Sequence, residues 1–140
     1  MQTTFEKVKG FLLDMGIEIT SENPEEELVV ADNPDLGIHH LVIDCEEPIL
    51  VMEQPIMAVP ADRETCFFEL LKMNRYLIHG AFVLDPEQET ILWRDTLQLA
   101  NLDRNELEGS IKALELALAE YGDDLVRLSN RNRAAIREGR

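Results

Sequence analysis

The chain of 140 residues has no long apolar run, few basic residues and only two cysteines. Each shortage closes a class of function. No apolar stretch approaches the roughly eighteen residues a membrane-spanning helix requires. The opening MQTTFEKVKG lacks the apolar core of a signal peptide, so a soluble, cytoplasmic protein without direct membrane insertion is expected. Cys45 and Cys66 are too few for a disulfide framework and read as reduced, buried small hydrophobes. Thirteen Lys and Arg stand against 28 Asp and Glu, a net charge of −15. Such a balance opposes binding to nucleic-acid phosphates or anionic lipid surfaces, both of which demand cations. It favours solubility, and it also suits a basic or aggregation-prone partner.

Catalytic patterns are missing as well. Ser21, Ser110 and Ser129 have no elbow glycines around them, and the chain holds no phosphate-cradling glycine loop, CxxC or HExxH. The only histidines are His39, His40 and His79. On one strand the first two point to opposite faces. His40 and Asp44 share a face, but two residues do not make a zinc site. The acidic run Glu25–Glu27 reads as a solvated loop surface. No catalytic residue, cofactor-binding residue or metal ligand is therefore assigned.

The apolar content of 45% is that of a globular protein. A chain of this size buries about two-thirds of its unfolded surface, so one domain without staples is expected. Its most informative part is His79–Tyr121. Ala81–Leu84 is a short apolar run, and Asp85–Glu89 is a turn in which Pro86 presets φ. Thr90–Leu99 alternates, with Ile91, Trp93, Leu97 and Leu99 on one face. Asp95 breaks the alternation, so a bulge is expected near it. Asp103 is placed to cap a helix, with Glu106 three residues on as in a capping box. Leu107, Ile111, Leu114, Leu118 and Tyr121 then form one helical stripe.

Upstream, Thr3 or Thr4 can cap a helix whose apolar positions are Phe5, Val8, Phe11, Leu12 and Met15, with Gly16 as its stop. Ile17–Ile19 is a brief extended piece, and Ser21–Glu27 is a loop. Strands are predicted over Leu28–Ala31, Ile38–Cys45 and Ile49–Met57, with Pro55 marking an edge or a bulge. These strands are apolar on both faces, so the expected sheet has more apolar surface than three helices hide. A second helix, capped by Asp62, runs to about Leu77. Phe67, Leu70, Leu71 and Ile78 form its expected core face. Asn74 sits in the middle of that face and is expected to bond backbone where helix meets strand. Phe68, Met73 and Tyr76 point away from it. With Leu50 and Met52 of the third strand, they are the expected partner or dimer surface.

From Arg127 the composition changes. Residues 127–140 hold five arginines and one glutamate, a net +4, which leaves −19 on residues 1–126. The expected organisation is one domain over 1–126 and a basic, fraying tail over 127–140.

The order helix, three strands, helix, two strands, helix predicts an α+β fold: one twisted antiparallel sheet with helices packed on it. With this order, the segments Leu70–Asn74, Gly80–Asp85, Ile91–Asp95, Leu97–Leu99, Leu102–Asp103 and Glu106–Leu107 resemble the type III secretion chaperones. That group includes the Tir-chaperone (CesT-like) and YbjN-like proteins. The likeness is good over residues 61–121 and architectural before them. The resemblance implies a small, acidic, homodimeric and non-enzymatic protein without a cofactor. By it, the chain would hold an apolar stretch of a protein client along apolar grooves. The YbjN-like branch implies instead a regulatory adaptor in an envelope or stress-response system.

Overall fold

A computed structural model describes the backbone of residues 2–137 and the side chains of residues 2–130. The first helix, α1 (Thr4–Asp14), is set by its cap. Thr3 Oγ1 accepts from the Glu6 N–H, and Glu6 accepts from the Thr3 N–H, both at 3.1 Å. Such a reciprocal cap is worth about 1 kcal/mol. Gly16, at φ +74°, turns the chain out of the helix.

Six strands follow: β1 (Glu18–Asn23), β2 (Leu28–Asn33), β3 (Ile38–Glu46), β4 (Ile49–Ala58), β5 (Ala81–Asp85) and β6 (Thr90–Gln98). They form one open sheet in the order β1-β2-β3-β4-β6-β5, and every neighbouring pair is antiparallel. Helix α2 (Arg63–Asn74) joins β4 to β5, and α3 (Arg104–Arg137) follows β6. The α+β architecture expected from the sequence is therefore present, with one strand more. β1 went unread because an edge strand exposed on both faces needs no apolar alternation, and only Ile19 of its six residues is even half-buried.

All three helices cover one face. Its sheet side comprises Val29 and Ala31, then Leu41, Ile43 and Cys45, then Leu50 and Met52, then Ile91, Trp93 and Phe82. The helices contribute Phe5, Val8 and Leu12 of α1, Cys66, Leu70 and Met73 of α2, and Leu107, Ile111 and Leu114 of α3. Ile38 joins this face although parity with Leu41 forbids it. His40, at φ +54°, and a register shift opposite Ala31–Asn33 insert the extra residue that resets the alternation.

The sheet irregularity expected near Asp95 lies elsewhere. Met52 and Asp95 pair in register, and the shift falls between Pro55 and Met57 of β4. A proline inside a strand flanked on both sides, where its missing N–H interrupts the ladder, requires that bulge. Asp95 keeps to the inward parity because the buried Ser110 of α3 donates to it at 2.5 Å.

Helix α3 does not end where the composition changes. Its capping box is present, with Glu106 N–H donating to Asp103 at 2.8 Å and Asp103 N–H to Glu106 at 3.3 Å. It continues past Arg127 to Arg137 and buries Leu125 and Leu128 on the way. The expected tail covers 127–140: the backbone of 127–137 is helical, and side chains from 131 and backbone from 138 lie outside the described residues.

Candidate functional site

Helix α2 turns its Cys66, Leu70 and Met73 into the core, a stripe at spacings of four and three. That choice corrects the expected face. Leu71 and Ile78 were expected inside, and Met73 outside. Instead Met73 is buried, while Leu71 and Ile78 are 69% and 77% exposed. The reason is local: α2 ends at Asn74 rather than Leu77, so Ile78 lies in the turn toward β5 and belongs to no helical face.

Of the expected partner surface, Phe68 and Tyr76 stand in solvent, 61% and 71% exposed. Met73, Leu50 and Met52 do not. Leu50 and Met52 have the inward parity of β4 and are fully covered by the helices. Their neighbours Ile49 and Val51 take the other face, a choice of parity that a strand apolar on both sides does not reveal.

Phe68, Leu71, Tyr76 and Ile78 thus form an apolar belt around α2 and the turn after it. Leu84 of β5 and Leu116 of α3 continue it, both exposed. Two grooves run beside the belt. One, of about 340 Å³, lies between Tyr76–Ile78 and the α3 residues Leu116, Ala117 and Tyr121. The other, of about 180 Å³, lies between α2 and β5 and is lined by Phe67, Leu71, Phe82 and Leu84. Cations screen the aromatic members: Lys72 Nζ sits 5.1 Å from the Phe68 ring centre, and the Arg75 guanidinium 5.9 Å from that of Tyr76. Exposed apolar side chains gathered beside grooves are the kind of surface on which protein contacts form.

β5 is a terminal strand, but its edge is not free. In an antiparallel ladder alternate residues turn their backbone groups away from the neighbour. Phe82 does so, and Asn74 meets it. The Asn74 Nδ2 donates to the Phe82 carbonyl at 3.0 Å, and Phe82 N–H donates to Asn74 Oδ1 at 2.8 Å. The amide stands where the next strand would be, the backbone role expected for Asn74. The other edge, β1, carries Glu18 and Glu22 and is bulged at Thr20. There Thr20 Oγ1 donates to Val30 O and to Asp32. Gln54, which the sequence did not single out, plays the same part inside. It is 2% exposed, donates to Gly37 O and accepts from His39 N–H, both at 3.0 Å, where the β2–β3 connection departs from the ladder.

The titratable groups show no reactive centre among the described residues. Burial raises the Cys45 thiol to about 11 and raises Cys66 as well, which suits inert packing. Both cysteines are free and buried. Among the described residues, no three His, Cys, Asp or Glu side chains are placed to share a metal ion, and no helix is long and apolar enough to cross a membrane.

Known proteins share this architecture. YbjN of E. coli superposes with a TM-score of 0.66 at 12% identity, over 89% of this chain and 96% of that one. The structure of the HopA1–SchA chaperone–effector complex matches with a TM-score of 0.60 at 9% identity, over 81% and 88%. That of the Yersinia pestis type III secretion chaperone SycH, in complex with a fragment of YscM2, matches at 0.55 and 16%, over 91% and 100%. A search of curated protein sequences finds no match. The sequence itself matches the CesT_Tir_1 family over residues 1–131, which takes in every strand, α1, α2 and most of α3. The resemblance carried by residues 61–121 thus extends over nearly the whole chain, and the protein belongs to the CesT_Tir_1 family.

Proposed function

We propose that the chain is a non-enzymatic, chaperone-like binding protein, acting as a cytoplasmic homodimer without a cofactor, that covers an apolar segment of a partner protein. The observation that carries this reading is the belt of Phe68, Leu71, Tyr76, Ile78, Leu84 and Leu116, apolar side chains left in solvent beside two grooves. Family membership agrees with it. Asn74 takes up the backbone groups of Phe82 on the β5 edge, which favours groove docking over strand addition.

A photo-cross-linking residue in place of Ile78, used in the native host, is expected to capture one or a few proteins through an apolar segment. Phe68→Ser and Leu71→Ser should abolish the capture while changing stability by less than about 0.5 kcal/mol, since both side chains already stand in water. A chain that remains monomeric at tens of micromolar and captures nothing overturns the reading. The likeness to YbjN favours a second reading, a regulatory adaptor in an envelope or stress-response system. The captured partner separates the two: an effector protein supports the first, a regulator or membrane-stress protein the second.

A further inference from the structure

The connection from α2 to β5 is a loop clamped at its base. Asn74 and Phe82 hold its two ends together by hydrogen bonds of 3.0 and 2.8 Å. Between them the chain leaves the helix after Asn74 and enters the ladder at Ala81. The span itself is lightly held. Tyr76 N–H donates to the Met73 carbonyl at 3.0 Å, and among the described residues no hydrogen bond reaches residues 77–80. Tyr76 and Ile78 stand in solvent, while Leu77 packs against the core. A segment with few buried apolar contacts and few hydrogen bonds opens at a small fraction of the cost of global unfolding.

Beneath this loop lies an unserved donor. Trp93 is fully buried, and its Nε1–H is the buried side-chain polar group without a hydrogen-bond partner among the described residues. Gly80 sits on that edge of the ring: a Cβ there would lie 2.5 Å from Trp93 Cε2 and 2.6 Å from Nε1. The loop backbone thus presses on the indole edge without giving it an acceptor. A buried donor left unpaired opposes the closed arrangement, and burial of Leu77 favours it. Opening lets water serve the N–H. Gly80, at φ +75°, is a conformationally free joint at one end. Because the Asn74 amide holds the base, the loop can swing without breaking the β5–β6 ladder.

We propose that residues 75–80 form a lid that opens over the Trp93 Nε1–H while α2, β5 and β6 stay folded. Tyr76 and Ile78 move with it, so one wall of the 340 Å³ groove beside α3 is adjustable. The lid is a property of the chain alone and needs no partner.

The test is hydrogen exchange on the full chain, followed by NMR. Trp93 is the one tryptophan, so its indole proton gives a single signal. The reference is the Leu92 backbone amide. Leu92 pairs with Val83, and it is Ala81 and Val83 that face β6, since Phe82 turns its backbone groups to Asn74. After correction for intrinsic rates, the indole proton is expected to exchange at least about tenfold faster than the Leu92 amide. Low urea should speed the Leu92 amide and leave the indole rate within about twofold, because opening the lid exposes little surface. Leu77→Ala removes the lid side chain that packs on the core, and should speed the indole proton about tenfold while leaving the Leu92 amide within about twofold. Equal rates for the two protons in the wild-type chain would overturn the proposal, since the whole edge would then open together. So would a parallel response of both to urea, or a Leu77→Ala effect that is absent or shared by both.

Discussion

Asn74→Ala tests whether one side-chain amide closes the sheet. The wild-type amide makes two hydrogen bonds to the backbone of a single residue, at 2.8 and 3.0 Å from Phe82 N and O. A neutral hydrogen bond contributes about 1 kcal/mol net, so their joint loss costs about 2 kcal/mol. Phe82 is itself 4% exposed, so water does not fully replace the amide. The loss is a large share of the 5–15 kcal/mol that holds a typical domain together, and lowers the folding constant about 30-fold. Trp93, the one tryptophan, is buried and pairs with Phe82 across β5 and β6, so its fluorescence reports on the affected site. With a urea slope of about 2 kcal/mol/M, the midpoint should fall by about 1 M at unchanged slope. The variant should also associate as its concentration rises, because the Phe82 N–H and carbonyl become available to another strand. Asn74→Asp keeps the acceptor and loses the donor, so it should fall between the two and recover toward wild type as acid restores a proton to its carboxyl. A midpoint shift below about 0.2 M in Asn74→Ala would refute the assignment, since an edge held by two good bonds cannot lose both so cheaply.

Two further substitutions probe the core and the open face. A Cβ on Gly80 would lie 2.5 Å from Trp93 Cε2, and Gly80 has φ +75°. Gly80→Ala therefore combines overpacking with backbone strain, and should cost about 3 kcal/mol or prevent folding, as read by near-UV circular dichroism. Asp44→Asn should do the opposite and stabilise the protein at pH 7.5. The folded carboxyl binds its proton more tightly than the unfolded one, with a pKa of about 6 against 3.8. The ionised group thus opposes folding above pH 6, and the penalty fades as pH falls through 6 toward 4. Solvent screening at this half-buried site keeps the gain to about 1 kcal/mol. Urea midpoints of the two proteins should differ at pH 7.5 and converge by pH 4, and a gain that persists at pH 4 would show another cause.

What the sequence made legible divides along physical lines. Elements with strong local signals were readable: the Thr3 and Asp103 caps, the Asp62 cap, the α3 stripe and the alternation of β6. Each depends on residues a few positions apart. The edge strand β1 was not readable, because nothing packs on it to impose a period. The inner and outer faces of β3 and β4 were not readable either. Leu50 and Val51 are equally apolar, and only the placement of the helices decides which of them is buried. The same uncertainty misassigned Met73 and Leu71 on α2, where neighbouring apolar residues allow two core faces about 100° apart. Of the candidate surface, Phe68 and Tyr76 were legible, and Leu71, Ile78, Leu84 and Leu116 emerged only once the helix faces were fixed. Gln54 carried no local signal, since its two partners lie 15 and 17 residues away.

Asn74 and Gln54 together narrow how a partner can bind. Both are side-chain amides used as backbone substitutes where the ladder has no strand to offer. At β5 the substitute occupies an edge that strand addition would use, and at β1 the bulge and the acids of Glu18 and Glu22 blunt the other edge. Both ends of the sheet are thereby guarded against pairing. Six large apolar side chains that stand in solvent lie on the α2 belt, with Leu13 of α1 and Val126 of α3 apart from it. Under the proposed function, a partner therefore meets side chains rather than a free ladder. Edge-to-edge aggregation is disfavoured by the same amide that holds β5 to α2.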